Sequence, residues 1–503
     1  MKRSQYLYTL AVDGACGAAP RLSFLQALLC IASLGASAAL GATVTVTNTN
    51  DGGPGSLRNA IDNASAGDTI IFGVTGTITL NSTLGIATNM TIIGPGASSL
   101  TISGNNAIQI LQVNAGVTAM VSGITFANAN TTNYFYGGAI FTGGTLTLDR
   151  IVATGNIGSQ GAILNRGSLT LTNSTLTNNT AFYYGGGIEN CCGSGSATVI
   201  NSTISGNYAS IEGAGIANLA GSSLTVINST IANNTLGFYL GSGIYNEGAA
   251  TVSFTTIAGN TGAAGIYTTG PSFVMKNVIV ANHSAGNCAS AGGVSSLGHN
   301  LSDDSTCSLA GAGDLNNVPA GLDPGGLQNN GGLTQTLSLI SSSQAKDAVP
   351  LAYCTDASGA NVSTDQRGIT RAQGAACDIG ALELVQGPKY SICFLYDSTK
   401  AVQSGATYPV KFQLCDGSGN DLSSSAITVH ATSATQISTA ISGTVQASGN
   451  ANPDNDFRFD STLGSTGGYI FNLSTKGMST GTYNLNFSVS GDTFAYTAPF
   501  QVK

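Results

Sequence analysis

The chain has 503 residues, a formal net charge of −8, only 8% charged side chains, 68 glycines and no tryptophan. So sparse and acidic a charge excludes nucleic acid and anionic membrane surfaces as partners, because both are recognised through clustered lysine and arginine. The length exceeds one small domain, and the glycine content suits a turn-rich β protein.

Met1-Lys2-Arg3 and Arg21 precede an apolar run over 22–34 and a small-residue stretch over 35–42, the pattern of a secretory signal with a long n-region. Residues 1–42 are expected to be removed, with cleavage between Ala38 and Ala42. Leu29 stands before Cys30 where a lipoprotein signal wants a small residue, so no lipid anchor is expected. No other apolar run approaches the ~20 residues of a membrane-spanning helix. Loss of Cys16 and Cys30 leaves eight of the ten cysteines, an even number suited to disulfides in an oxidising compartment. The local pairs are Cys288 with Cys307, Cys354 with Cys377 and Cys393 with Cys415. Cys191 and Cys192 read either as a vicinal disulfide or as two buried thiols.

After the first strand, over 43–46, Ser56 is placed to cap a short helix whose Leu57, Ala60, Ile61 and Ala64 share one face. Such a helix covers the open end of a stacked sheet. The rest of the first two thirds is a repeat. A phrase opening on glycine and isoleucine recurs from 137 to 286, anchored by Ile140, Ile163, Ile188, Ile216, Ile244 and Ile266. Each unit holds short alternating runs separated by Asn, Gly and Ser, which are strand and turn signals. No unit forms a core alone, so the coils must stack as a β-solenoid. Stacking places equivalent residues of successive coils roughly 4.8 Å apart. Asn165, Asn190, Asn218 and Asn246 hold one such position, Asn173, Asn201 and Asn228 a second, and Asn179, Asn207, Asn234 and Asn260 a third. These read as ladders of stacked amides rather than as glycosylation sites, although several fall in Asn-x-Ser/Thr.

Glycosidic hydrolysis usually needs two carboxylates across the bond, and elimination from a polyuronate needs a base with cations. Between Thr69 and Met275 the only charged residues are Asp149, Arg150, Arg166, Glu189, Glu212 and Glu247. Glu189 stands one residue after its anchoring isoleucine, Glu247 three after and Glu212 four before, so the carboxylates are expected not to pair. Arg166 and Glu247 share a position three coils apart, roughly 14 Å. On this reading the chain is not an enzyme and has no catalytic residue, cofactor or metal site. Asp303, Asp304, Asp314 and Asp323 carry oxygens suited to calcium, but the nonapeptide of calcium-binding β-rolls is absent, and His299 reads as a turn residue. Asp365, Arg367, Arg371, Asp378 and Glu383 read as an ion-pair network tying a capping segment to the last coil. Tyr134, Phe135, Tyr136, Phe182, Tyr183, Tyr184, Phe238 and Tyr239 fall four to six residues before an anchoring isoleucine, along one edge. A row of rings is what sugar faces stack against, so these eight are the candidate glycan contacts; the alternative is that they fold over the corner as satellite packing.

The opening TVTVTNTNDGGPGSLRNAIDNASAGDTIIF, the phrase Gly298-His299-Asn300-Leu301 with Asp303-Asp304 and Cys307, Asn330-Gly331-Gly332-Leu333-Thr334-Gln335-Thr336, and the close Asp365-Gln366-Arg367-Gly368, Arg371 and Cys377-Asp378-Ile379-Gly380-Ala381-Leu382-Glu383 resemble the bacterial right-handed β-helix surface proteins of the choice-of-anchor Q family. Tyr408-Pro409-Val410-Lys411-Phe412-Gln413-Leu414 and Gly481-Thr482-Tyr483-Asn484-Leu485 resemble the PxKF domain. The resemblance implies a secreted or surface-displayed protein of unassigned activity. The expected organisation is a signal peptide (1–42), a right-handed parallel β-helix with a helical N-terminal cap and an irregular C-terminal cap (43–386), and a small Ig-like β-sandwich (387–503). The expected role is adhesin-like contact with a polysaccharide or cell-surface glycan by a monomer. A polysaccharide lyase or glycoside hydrolase, and a structural spacer, are the alternatives.

Overall fold

The structure is a computed structural model that describes residues 41–503 apart from 133–137, 291–292, 386, 388–389, 417–418, 438–440, 444–452, 465, 491 and 493. The expected signal segment up to residue 40 lies outside the described residues, and so do Tyr134, Phe135 and Tyr136.

The first two thirds form a parallel β-solenoid of about ten turns. Its first face is an 11-stranded sheet running from Thr43–Val46 to Ser295–Ser296, its second an 11-stranded sheet from Gly76–Thr79 to Leu315–Asn316, and its third a 9-stranded sheet from Leu84–Ile86 to Cys288–Ser290. A short sheet of five two-residue strands, from Asn130–Thr131 to Thr235–Leu236, makes a fourth side in the middle coils. The register follows the repeat. Ile140, Ile163, Ile188, Ile216, Ile244 and Ile266 pair in series on the third face, and all are fully buried. Each coil turns its alternate residues inward because a strand has a period of two, and Leu169, Leu171, Val199, Val226 and Val252 fill the space between the faces.

The first and third asparagine ladders are continuous. Asn165 Nδ2 donates to Asn190 Oδ1 at 2.7 Å, Asn190 to Asn218 at 2.7 Å, and Asn218 to Asn246 at 2.7 Å. The other runs Asn156, Asn179, Asn207, Asn234, Asn260 at 2.8–3.0 Å, one rung longer than the four asparagines expected, and is closed by His283, whose Nδ1 accepts from the Asn260 backbone N–H at 3.1 Å. The second set is a ladder in part: Asn201 Nδ2 donates to Asn173 Oδ1 at 3.4 Å, whereas Asn228 Nδ2 donates to the Thr364 carbonyl at 2.7 Å instead of continuing the row. Asn173, Asn201 and Asn228 have φ of 50°, 50° and 48° and serve as left-handed corner residues, a conformation asparagine tolerates better than other side chains.

The helix Leu57–Asp62 is present, with the Ser56 hydroxyl accepting from the Asn59 amide at 3.1 Å and Leu57, Ala60 and Ile61 buried against the end of the solenoid core. The ion-pair network exists, but it is tied to other coils than expected. The segment over 334–383 runs back along the second face, where Thr334 and Gln335 meet Asn201 and Thr203, Gln366 meets Thr230, and Arg371 meets Asn228. Arg371 pairs with Glu383 at 3.1 Å and lies 4.0 Å above the Phe254 ring. The reason is a row of buried threonine and asparagine groups on that face, whose hydroxyls and amides need partners.

The C-terminal residues form a 4-stranded antiparallel sheet and a 5-stranded sheet, antiparallel except where Ala401–Val402 pairs in parallel with Ala495–Val502, around a core that includes Phe412, Phe471, Phe487 and Phe500. Disulfides join Cys288 with Cys307, Cys354 with Cys377, Cys393 with Cys415, and the neighbours Cys191 and Cys192. Among the described residues no helix is long and apolar enough to cross a membrane.

Candidate functional site

The corner that leads from the short fourth side into the third face carries both the aromatic row and the carboxylates. Its geometry is set by glycine. Gly185, Gly213 and Gly241 occupy equivalent places in successive coils with φ of 59°, 64° and 72°. At each, the chain folds back over the strand that follows. A Cβ on Gly213 would lie 2.6 Å from the Ile216 carbonyl oxygen and 2.8 Å from the Ala217 backbone, so a side chain has no room there. The fold-back lays the residues just before these glycines, Tyr184, Glu212 and Leu240, over the outward residues of the third face. Tyr184, Glu212 and Leu240 are bridged in register. Below them the outward residues run Phe141, Leu164, Glu189, Ala217, Tyr245 and Tyr267.

This arrangement corrects the expectation that the carboxylates stand apart. Counting from the isoleucine along an extended coil separates Glu212 from Glu189 and Glu247, and the glycine fold-back removes that separation. Tyr245 is the hub: its hydroxyl donates to Glu247 Oε1 at 2.8 Å and is also within hydrogen-bonding reach of Glu212. Burial, then the bond to Glu247, hold the Tyr245 phenol protonated, far above its ordinary value. Burial followed by the Glu247 charge pushes Glu212 up, with Tyr245 opposing. Tyr184 is also raised, first by burial and then by the charges of Glu212, Glu189 and Glu247. Tyr267 stacks on Tyr245 with ring centroids 5.7 Å apart and planes 3° from parallel.

Glu189 points outward yet is 2% exposed, and its Oε2 has no hydrogen-bond partner among the described residues. Burial pushes its carboxyl up to about 8, against the opposing charge of Arg166. The Arg166 guanidinium lies 5.8 Å from the Phe141 ring centroid in the preceding coil. Of the six charged residues between Thr69 and Met275, four therefore gather at one corner. The repeat phrases hold a signal for this: the glycine two or three residues before each isoleucine, read as a turn rather than as a spacer, brings the residue before it onto the face.

Beside the carboxylates the rings are exposed: Phe182 by 47%, Tyr183 by 50%, Phe238 by 68% and Tyr239 by 70%. Satellite packing therefore does not describe these four, whereas Tyr184 is half-buried and belongs to the carboxylate group. Tyr183 and Phe238 flank Ile211 in successive coils, since Ile211 N donates to Tyr183 O and Phe238 N to Ser210 O. Tyr239 is an extra residue, because Leu236 pairs with Ala209 while Leu240 bridges Glu212, and its φ is 70°. A hollow of about 390 Å³ opens beside the row, lined by Thr132, Ser159, Phe182 and Tyr183. Another, of about 490 Å³, lies on the corner between the first and second faces, where Arg150 is its one charged lining residue and no ring faces it. The charge and the rings mark the former corner as the candidate site. No cluster of metal-ligating side chains occurs among the described residues.

No family model matches the chain, and no curated protein matches it. Among solved structures it is similar to the PL6 family alginate lyase AlyGC, at a TM-score of 0.28 and 11% identity over 73% of this chain and 62% of that one. It is likewise similar to an arginine-to-alanine mutant of the same enzyme, at 0.27 and 11% over 72% and 61%. The chain spans about three fifths of the length of those lyases. The expectation that the chain is not an enzyme is corrected on this finding, since the solved β-helices it matches are enzymes. The likeness is one of fold, and no substrate or residue role passes across it.

Proposed function

We propose that this is an exported, polysaccharide-directed protein whose solenoid engages a glycan along the corner bearing Phe182, Tyr183, Phe238 and Tyr239. The observation that carries the reading is the exposure of four rings in a row on an otherwise weakly charged coil surface. Aromatic faces left in water mark contact surfaces, and flat apolar rings with polar neighbours suit sugar faces. Tyr239 adds support, because a bulky residue in left-handed backbone costs on the order of 1–3 kcal/mol and persists where function holds it. Export is supported by the signal-like first 42 residues and by four disulfides. Assignment to the choice-of-anchor Q family with a PxKF-like C-terminal domain, and division at about residue 387, belong to the same proposal and rest on the phrases quoted above.

A glycan array probed with the mature chain tests it. Binding to at least one polysaccharide, weakened tenfold or more when Phe182, Tyr183, Phe238 and Tyr239 are all replaced by Ala, is the expected result. Unchanged binding in that variant would remove the reading.

A further inference from the structure

We infer that the carboxylate corner is an acid–base site that hydrolyses a glycosidic bond in an uncharged polysaccharide, with Glu189 as the proton donor and the Glu212–Glu247 pair, bridged by Tyr245, as the base. The inference rests on the glycan-binding reading above and adds to it a reaction, a substrate class and named roles.

Three independent observations converge. Glu189 is a carboxyl with an unpartnered oxygen, turned outward and almost wholly buried. A group that costs so much to bury without a partner is retained where a ligand supplies one. Second, Glu189 and Tyr245 are outward residues two coils apart, roughly 10 Å at the inter-strand spacing. Glu247 is held at the far side by the Tyr245 hydroxyl. That backbone spacing, with only the Ala217 methyl on the strand between, is on the scale of the roughly 6.5–9.5 Å carboxyl separation that inverting hydrolysis uses. Third, the exposed rings follow the same stack of coils, so a chain lying against them passes the carboxylates.

The step balances with water as co-reactant. Glu189 gives its proton to the glycosidic oxygen as the bond from that oxygen to the anomeric carbon breaks. A carboxylate of the Glu212–Glu247 pair takes a proton from the attacking water as the new carbon–oxygen bond forms. Glu189 is supplied protonated at neutral pH because burial raises it to about 8. The charged and titratable groups around it are Arg166, Tyr184, Glu212, Tyr245 and Glu247. Arg166 is the single cation among them. A polyuronate would bring a carboxylate with every sugar to a corner that already holds two ionisable glutamates beyond the acid, so an uncharged chain is the fitting substrate.

The test incubates the mature chain with neutral polysaccharides (β-glucans, xylan, mannan) and with polyuronates (alginate, pectate), measuring new reducing ends and unsaturated ends separately. Reducing ends without unsaturation from a neutral polysaccharide are expected, with a rate that falls above about pH 8. Glu189→Gln, which keeps the shape of the protonated side chain, should bind the same glycan, melt no lower than the parent chain and lose roughly a hundredfold or more in rate. Unsaturated ends from a polyuronate would overturn the inference in favour of elimination. Glycan binding with no turnover of any polysaccharide would overturn it while leaving the binding proposal standing. Full activity of Glu189→Gln would overturn the assignment of the acid.

Discussion

Glu189 and Asp378 are carboxyls that folding holds on to in their protonated form, Glu189 at about 8 and Asp378 at about 7, each because burial penalises the charge. A carboxyl raised in the folded state binds a proton that the unfolded chain has released, so its favourable contribution is complete below the unfolded value and is lost as pH rises through the folded one. For Glu189 the window runs from 4.5 to about 8, and for Asp378 from 3.8 to about 7. Each contributes on the order of 1 kcal/mol for every pH unit between its two values. Thermal unfolding should therefore become easier from pH 5 to pH 8. Glu189→Gln should flatten that slope and raise the melting temperature at pH 8; an unchanged slope would show that Glu189 is not buried in the manner described. Gly213 is the other residue on which the corner turns. Gly213→Ala adds a Cβ into backbone at 2.6 Å and strains a φ of 64°, so a loss of about 2 kcal/mol or more is expected. The isosteric Glu212→Gln should leave stability nearly unchanged, which separates damage to the turn from loss of the carboxylate.

At the scale of elements, the coils were legible in the sequence because their isoleucines and asparagines recur in register, and register is what parallel stacking imposes. The pairing of Ile163 with Ile188 and Asn165 with Asn190 follows directly from the repeat. The carboxylate corner was hidden for a related reason. Position counted along the chain equals position on the coil only while the backbone is extended, and Gly185, Gly213 and Gly241 break that equality. The path of 334–383 back along the second face was equally hidden, since no local pattern records which buried threonine a distant glutamine will meet. Asn207 tests the ladder: its amide donates to Asn234 Oδ1 and to Leu176 O, both at 3.0 Å, and its oxygen accepts from Asn179. Asn207→Ala strands buried partners on both sides, so a loss on the order of 3 kcal/mol is expected in denaturant unfolding. A loss below about 0.5 kcal/mol would reduce the ladder to decoration.

At the scale of the whole molecule, the solenoid core and the C-terminal core share no residue. Two sets of apolar contacts without common members should melt as two cooperative units. Phe412 is fully buried in the C-terminal core, and Phe412→Ala should cost about 3–5 kcal/mol there. Calorimetry of residues 43–503 should then show two transitions, of which the substitution lowers one; a single transition that shifts as a whole would contradict the division near residue 387. The buried Arg371–Glu383 pair belongs to the solenoid side of that division, anchored over Phe254, so its loss should move the other transition.

The most direct measurement of where a glycan sits is oxidative footprinting of residues 43–503 with and without the polysaccharide that binds them best. The account predicts protection of Phe182, Tyr183, Phe238 and Tyr239, with Leu351 and Tyr353, which are also exposed but lie in the C-terminal cap, oxidised equally in both samples. Protection confined to other surfaces, with the four rings unchanged, would contradict it.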